Sequence, residues 1–231
     1  MASPREIAKC YLCGIDLRED VPPRAVNKWT RDHIPPEGFY PVPPPGNLLK
    51  VNCCDPCNNG YSHEDDFMRM IASCQMIETS ESAAWIWREK VNPILDGRLD
   101  PERLKIVQTM RDSWVITPFG LRHIISYDQN RAKDWFIRVG KGLCRKREID
   151  KDFSHSEFRA TLLPLFDMPA VIAGMDPAQE FAAIGNDVFR CWYQPITMPP
   201  LIGRWIVVLY GGFAFLVAHG PAAPSTNSSS L

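Results

Sequence analysis

The chain has 231 residues, a formal net charge of -1, 45% hydrophobic residues and 23% charged residues. That length holds one large domain or a small module joined to a larger one, with apolar residues enough for a core. A near-neutral balance excludes a protein that binds polyanions through its whole surface, so any nucleic-acid contact has to come from a local patch.

The start, MASPREIAKCYL, carries Arg5, Glu6 and Lys9 with no apolar run behind them, unlike a secretory signal. Five of the eight cysteines follow within the first 60 residues, at positions 10, 13, 53, 54 and 57, in a segment dense in proline. This segment is too short and too interrupted to build its own apolar core, so something other than burial holds it together. The segments Trp29–Pro36 and Asn47–Val51 look like short strands around a turn-rich Pro/Gly loop. Asp55-Pro56 then opens a helix whose first turn contains Cys57 and Asn58.

From Ser62 the pattern becomes helical. Ser62 and Asp65 suggest a capping box, and Phe67, Met70, Ile71 and Cys74 continue an apolar stripe. A second helix is predicted from Ser82 to about Ile94, a third opening at Asp100-Pro101, and a fourth from about Asn130 to Arg147. Val188–Tyr193, Trp205–Tyr210 and Phe213–Ala218 read as three strands, the last two joined by a Gly211-Gly212 turn. The apolar run Trp205–Ala218 is too short for a membrane helix. The tryptophans at 85, 87, 114, 135, 192 and 205 sit in apolar patterns and are expected in the core. The tail, GPAAPSTNSSSL, has the composition of a flexible end. The predicted organisation is a finger over 1–70, an α+β region over 71–219 and a disordered tail over 220–231. These features predict an intracellular, cytoplasmic protein without membrane contact, where thiols stay reduced and clustered cysteines mean metal or chemistry.

Cys10-Tyr11-Leu12-Cys13 and Cys54-Asp55-Pro56-Cys57 are two C-x-x-C knuckles. The two-residue gap aims both thiolates at one cation, and two knuckles complete a tetrahedral S4 zinc site. Gly14 permits the tight turn after the first knuckle. Cys53 would replace Cys54 only at the poorer C-x3-C spacing and is placed outside. Four thiolates leave no open coordination position, so this zinc is structural.

Asp32-His33-Ile34-Pro35, then Asn47-Leu48, then Cys54-x-x-Cys57-Asn58-Asn59 resembles the HNH endonuclease motif in its zinc-containing form. The run from Cys57 to Phe67 resembles the ending seen in many bacterial HNH proteins. The resemblance covers about residues 8 to 70. It implies a ββα-metal, treble-clef-like fold and a metal-dependent endonuclease of bacterial or phage type that hydrolyses phosphodiesters of double-stranded DNA. It further implies that Asp32 and Asn58 ligate a catalytic divalent ion, Mg2+ or another. His33 would be the general base, and Asn47 would orient the His33 ring. The set reads D-H-N-N, with Asn58 where the family name has its final His, and His63 is a second candidate for that place.

The residue types suit the chemistry. Phosphodiester cleavage needs an activated water on one side of phosphorus and charge neutralisation on the other. An imidazole titrates near neutral pH and can take the proton. Neighbouring strand residues point to opposite faces, so Asp32 and His33 meet at one site only if the strand is locally distorted. In isolation Asp32-His33 is an ordinary turn-capping pair, and Asn58 an ordinary helix-start residue. His123, His155 and His219 have no ligand-like neighbours.

The predicted helix near 131–147 is the one basic element. Arg131, Arg138, Lys141 and Arg145 share one side, and Ala132, Phe136, Val139 and Leu143 the other. A basic stripe behind a packed face suits phosphate contact, and equally an ordinary solvated face. The expected fold class is α+β: an N-terminal zinc finger, a helical segment and a small antiparallel sheet. The competing functional readings are a non-catalytic zinc module that binds nucleic acid or protein, and an interaction protein working through its C-terminal region.

Overall fold

A computed structural model describes residues 8–95, 111–117, 120–149, 156–163, 168–197, 199 and 201–221, with the backbone path alone for 94–95, 111–117, 120–126 and 169. The chain begins with the Cys10–Gly14 knuckle and then forms a two-stranded antiparallel ribbon of β1 (Trp29–Ile34) and β2 (Leu49–Cys54). The intervening proline-rich loop contains one 3-10 turn, Glu37–Phe39. Helix α1 (Asp55–Asn59) follows directly, with proline in its first turn where a missing N–H costs nothing. The predicted order of strand, loop, strand and helix is therefore observed.

Helix α2 (Ser62–Met76) buries Phe67, Met70, Ile71 and Cys74, the stripe read from the sequence. Its start differs from the predicted capping box. Tyr61 is the capping residue, without a side-chain cap, and Asp65 turns to a partner on another helix. The second predicted helix is α3 (Glu81–Ile86), continued by a wider π-type turn, Trp87–Val91, and α4 (Asn92–Leu95). Ser80 caps it by accepting from Ala83 N–H at 2.9 Å. The third predicted helix, opening at residue 100, lies outside the described residues. A hairpin of β3 (Arg111–Thr117) and β4 (Gly120–Ser126) leads into the basic helix, α5 (Gln129–Lys146). Asp128 caps α5 through Asn130 and Arg131 N–H.

The C-terminal part is one antiparallel sheet, ordered β5-β9-β8-β7-β6. Its strands are β5 (Ser156–Leu162), β6 (Glu180–Ile184), β7 (Phe189–Pro195), β8 (Gly203–Leu209) and β9 (Phe213–Pro221). The three apolar strands were legible, and β5 and β6 add an edge on each side. In the turn between β8 and β9 the left-handed positions are Tyr210 and Gly211. Gly220 and Pro221 belong to β9, so the predicted tail begins later than residue 220, and its remainder lies outside the described residues.

Helix α5 lies against this sheet and against the ribbon. Phe136 stacks on Phe215 at 4.0 Å between ring centroids. Towards the ribbon, a β-carbon on Gly142 would sit 2.6 Å from Ile34 Cδ1, so the absent side chain is what lets β1 approach. The core is continuous across this contact: Tyr11, Ile34, Phe39, Tyr40 and Val51 join α2, α5 and the sheet in one buried cluster. Phe39 packs on Trp135 at 5.1 Å, and its carbonyl accepts the Tyr210 hydroxyl at 2.9 Å. The predicted boundary at residue 70 therefore does not divide the core. The finger, short of apolar residues, borrows from the rest of the chain. Met168 of α6 (Met168–Ala173) joins a smaller cluster with Trp192, Ile206, Val208 and Ala214. Of the tryptophans expected inside, 135, 192 and 205 are buried and 85 and 87 are half-buried. The side chain of Trp114 lies outside the described residues. Among the described residues no helix is long and apolar enough to cross a membrane.

Candidate metal centre and ribbon site

The first knuckle is shaped by its backbone: Gly14 N–H donates to Cys10 O at 3.0 Å, and Gly14 takes φ 75°, in the left-handed region. The second knuckle runs from the last residue of β2 into α1. Tyr11 N–H donates to Asn52 O at 3.1 Å, which brings the two knuckles together. The sulfur atoms of Cys10, Cys13, Cys54 and Cys57 all lie within 4.8 Å of one another, and Cys13 and Cys54 are 3.7 Å apart. A tetrahedron with Zn–S bonds of about 2.3 Å has edges of roughly 3.8 Å, so the donor set fits a zinc ion by element, number and spacing.

Cys53 is fully buried, with its sulfur 3.8 Å from that of Cys10. The Cys53 neighbour brings the Cys10 thiol down to about 4, favouring its thiolate. Cys53 itself is pushed up, first by Cys10 and then by burial, and stays a protonated donor beside the cluster. Burial also raises Cys54 and Cys57. A dication among four sulfurs opposes that effect, because thiolates are the species that bind metal.

Asp32 and His33 face opposite sides of β1. Asp32 is 6% exposed, and its Oδ2 accepts the Tyr11 hydroxyl at 2.6 Å. Burial raises its carboxyl above the ordinary range, against the opposing influences of the Arg138 guanidinium and the Tyr11 hydrogen bond. Behind it, Asp65 Oδ1 accepts Arg138 Nη2 at 2.8 Å and Trp135 Nε1 at 2.7 Å. Burial carries Asp65 up to about 6. Tyr61 covers the guanidinium with its ring, 4.7 Å from Arg138 Cζ. The inner side of the ribbon thus gathers the buried Asp32, Tyr11 and Arg138 with the half-buried Asp65, and the exposed Tyr61 lies over the guanidinium.

On the other side, the half-buried His33 stands opposite Lys50 in the register, with Nδ1 3.9 Å from a Glu37 carboxylate oxygen. Burial, followed by Lys50, lowers the imidazole pKa, while Glu37 and Asp32 oppose the shift. His33 is consequently neutral, with a lone pair free to accept a proton, at pH 7. Asn47, expected to orient the ring, is exposed ahead of β2, and no hydrogen bond joins it to His33 among the described residues. Lys50 and Glu37 take the places next to the ring instead. Asn58 is half-buried in α1, on the same short helix as Cys57. His63 is exposed at the start of α2.

The basic stripe expected on α5 is largely committed to the fold. Arg138, 3% exposed, pairs with Asp65, and Arg131 pairs with Glu64 at 2.9 Å while lying over Phe67. Lys141 lies 5.7 Å from the Phe158 ring centroid, and Arg145 is half-buried. Helical spacing alone does not reveal that α2 presents Glu64 and Asp65 to this face. The Asp65–Arg138–Trp135 array has no sequence signature for the same reason, since Asp65 lies 70 residues from Trp135 and 73 from Arg138.

His219 is buried beside Tyr193, and the side chains of His123 and His155 lie outside the described residues. No family model, curated protein or solved structure matches this chain.

Proposed function

We propose that the protein is a metal-dependent endonuclease of the HNH type, hydrolysing phosphodiester bonds of duplex DNA with His33 as general base. The observation that carries the reading is the strand–loop–strand–helix unit bracketed by four thiols, with a neutral imidazole on the outward face of its first strand. In this reading Cys10, Cys13, Cys54 and Cys57 hold a structural zinc that fixes β2 and α1 against the first knuckle. His33 Nε2 takes the proton of the attacking water, and Glu37 sits where it can steady the protonated ring. The orienting role expected of Asn47 passes to Glu37. The resemblance assigns a divalent ion, Mg2+ as the expected one, to Asp32 and Asn58, to supply charge neutralisation at the scissile phosphate. Because Asp32 points to the side of β1 opposite His33, an ion held there reaches a phosphate beside His33 only with local distortion of β1.

A second reading, a zinc module that binds nucleic acid without cutting it, is favoured by one observation. Asp32 already accepts the Tyr11 hydroxyl and feels the buried Arg138 charge, so an ion at this carboxylate has to displace that contact. One experiment separates the two. Purified protein is incubated with supercoiled plasmid and Mg2+, with His33→Ala and Asp32→Asn alongside. Nicked or linear product from the wild type, lost in His33→Ala, supports the endonuclease. Intact plasmid retained by both proteins in a binding assay supports the module.

A further inference from the structure

Strand alternation sorts the ribbon into two unlike faces. Asp32, Ile34, Val51 and Cys53 point inward and are buried. Trp29, Arg31 and His33 of β1 point outward, and the register Arg31↔Asn52 and His33↔Lys50 sets Asn52 and Lys50 beside them.

Arg31 and Lys50 are exposed, and neither forms an ion pair among the described residues. Arg31 lies over the Trp29 ring at 5.7 Å, and Trp29 donates its indole N–H to Asn52 Oδ1 at 3.1 Å. The face therefore joins two unneutralised cations, a held indole and the candidate base. Glu37 stands beside the ring. This contrasts with α5, where Arg131 and Arg138 are neutralised by Glu64 and Asp65, and Arg147 lies over Tyr193 at 4.6 Å. On a chain of net charge -1, a local cation pair of this kind provides the complementarity a phosphate backbone requires.

We infer that the outward face of the β1–β2 ribbon is the docking surface for the sugar-phosphate backbone of duplex DNA. Arg31 and Lys50 are its phosphate-positioning residues, and His33 lies at the bound strand. The inference rests on the same site as the proposed endonuclease, but it concerns binding and stands or falls without cleavage.

The test is anisotropy of a labelled DNA duplex titrated with the full chain across a range of salt concentrations, Ca2+ replacing Mg2+. The Arg31→Gln/Lys50→Gln double variant is compared with Lys146→Gln on the exposed end of α5, and thermal melts verify that both stay folded. Loss of two phosphate contacts lowers the log–log salt slope by about 1.8, at roughly 0.9 per contact, and weakens binding tenfold or more at low salt. Lys146→Gln leaves both quantities unchanged. A wild type that binds through Arg31 and Lys50 but does not cut plasmid in Mg2+ upholds the docking surface and removes the endonuclease. An unchanged slope and affinity in the double variant overturns the inference. So does a wild type that ignores DNA, or one that holds polyglutamate as tightly as the duplex.

Discussion

The half-buried Asp65 and the buried Arg138 form an ion pair at 2.8 Å that fastens α2 to α5 immediately behind the ribbon. Removing one member leaves the other charge buried without its partner, at a cost of about 3–5 kcal/mol. Arg138→Met is therefore expected to lower the urea midpoint severely. Glu64→Gln, which breaks the more exposed Arg131 pair, is expected to cost no more than ~1 kcal/mol. Equal effects of the two substitutions in urea melts would show that the array behind the ribbon is not the fastening described here.

The same array makes stability depend on pH. Burial raises Asp65 to about 6, above the unfolded carboxylate value of 3.8, so the folded state binds the proton more tightly. The sign follows: stability attributable to Asp65 is fully present below pH 3.8 and is lost as pH rises through 6. Other carboxylates titrate in the same window, so the comparison is with Asp65→Asn. The wild type minus variant difference in unfolding free energy should shrink as pH rises from 4 to 7. A difference that grows over that range would contradict the burial argument.

Tyr11 donates to Asp32 from within the first cysteine knuckle, so the candidate metal centre and the candidate carboxylate share one residue pair. Tyr11→Phe removes a hydrogen bond to a charged group, at about 1.5–3 kcal/mol. It also removes a contact that favours the carboxylate, so the Asp32 pKa rises further. If Asp32 binds a divalent ion, the variant frees an oxygen for it, and Mg2+-dependent cleavage should need less Mg2+. The Mg2+ concentration giving half-maximal cleavage reads this directly. An increased Mg2+ requirement would assign Tyr11 to holding the carboxylate in place for the ion.

Lys50 lies opposite His33 and helps to lower its pKa. A general base acts in its neutral form, so cleavage rises with pH through the His33 pKa and then levels. Lys50→Met removes a positive charge that opposes protonation, and should move the acidic limb of kcat/KM to higher pH. Glu37→Gln removes an opposing influence and should move the limb to lower pH. Parallel movement of the two profiles would remove His33 from the titration.

What the residues disclosed, and what they withheld, divides along physical lines. The two knuckles, the ribbon and α1 follow from local spacing, because thiolate pairs, a Pro/Gly loop and Asp-Pro signals act within a few residues. The stripes of α2 and α5 and the strands β7, β8 and β9 follow from periodicity in strongly apolar segments. Strands β5 and β6 carry weaker signals: Ser156–Leu162 mixes Glu157, Arg159 and Thr161 with its apolar residues, and Glu180–Ile184 is only five residues long. The neighbours of the candidate site were hidden for a different reason. Which cation on α5 is free depends on acids brought by α2, and which residue flanks His33 depends on the register of β2. Both are tertiary facts without a local signature. The opposed faces of Asp32 and His33, by contrast, follow from strand alternation alone.

The proposed zinc centre needs the four clustered sulfurs gathered around one ion, and native mass spectrometry of zinc-loaded protein tests this most directly. The wild type and Cys53→Ser should each retain one zinc, whereas Cys54→Ser and Cys13→Ser lose it, together with the fold of the first knuckle. A protein that takes up no zinc, or that loses it equally on replacing Cys53, would contradict the arrangement on which the ribbon face rests.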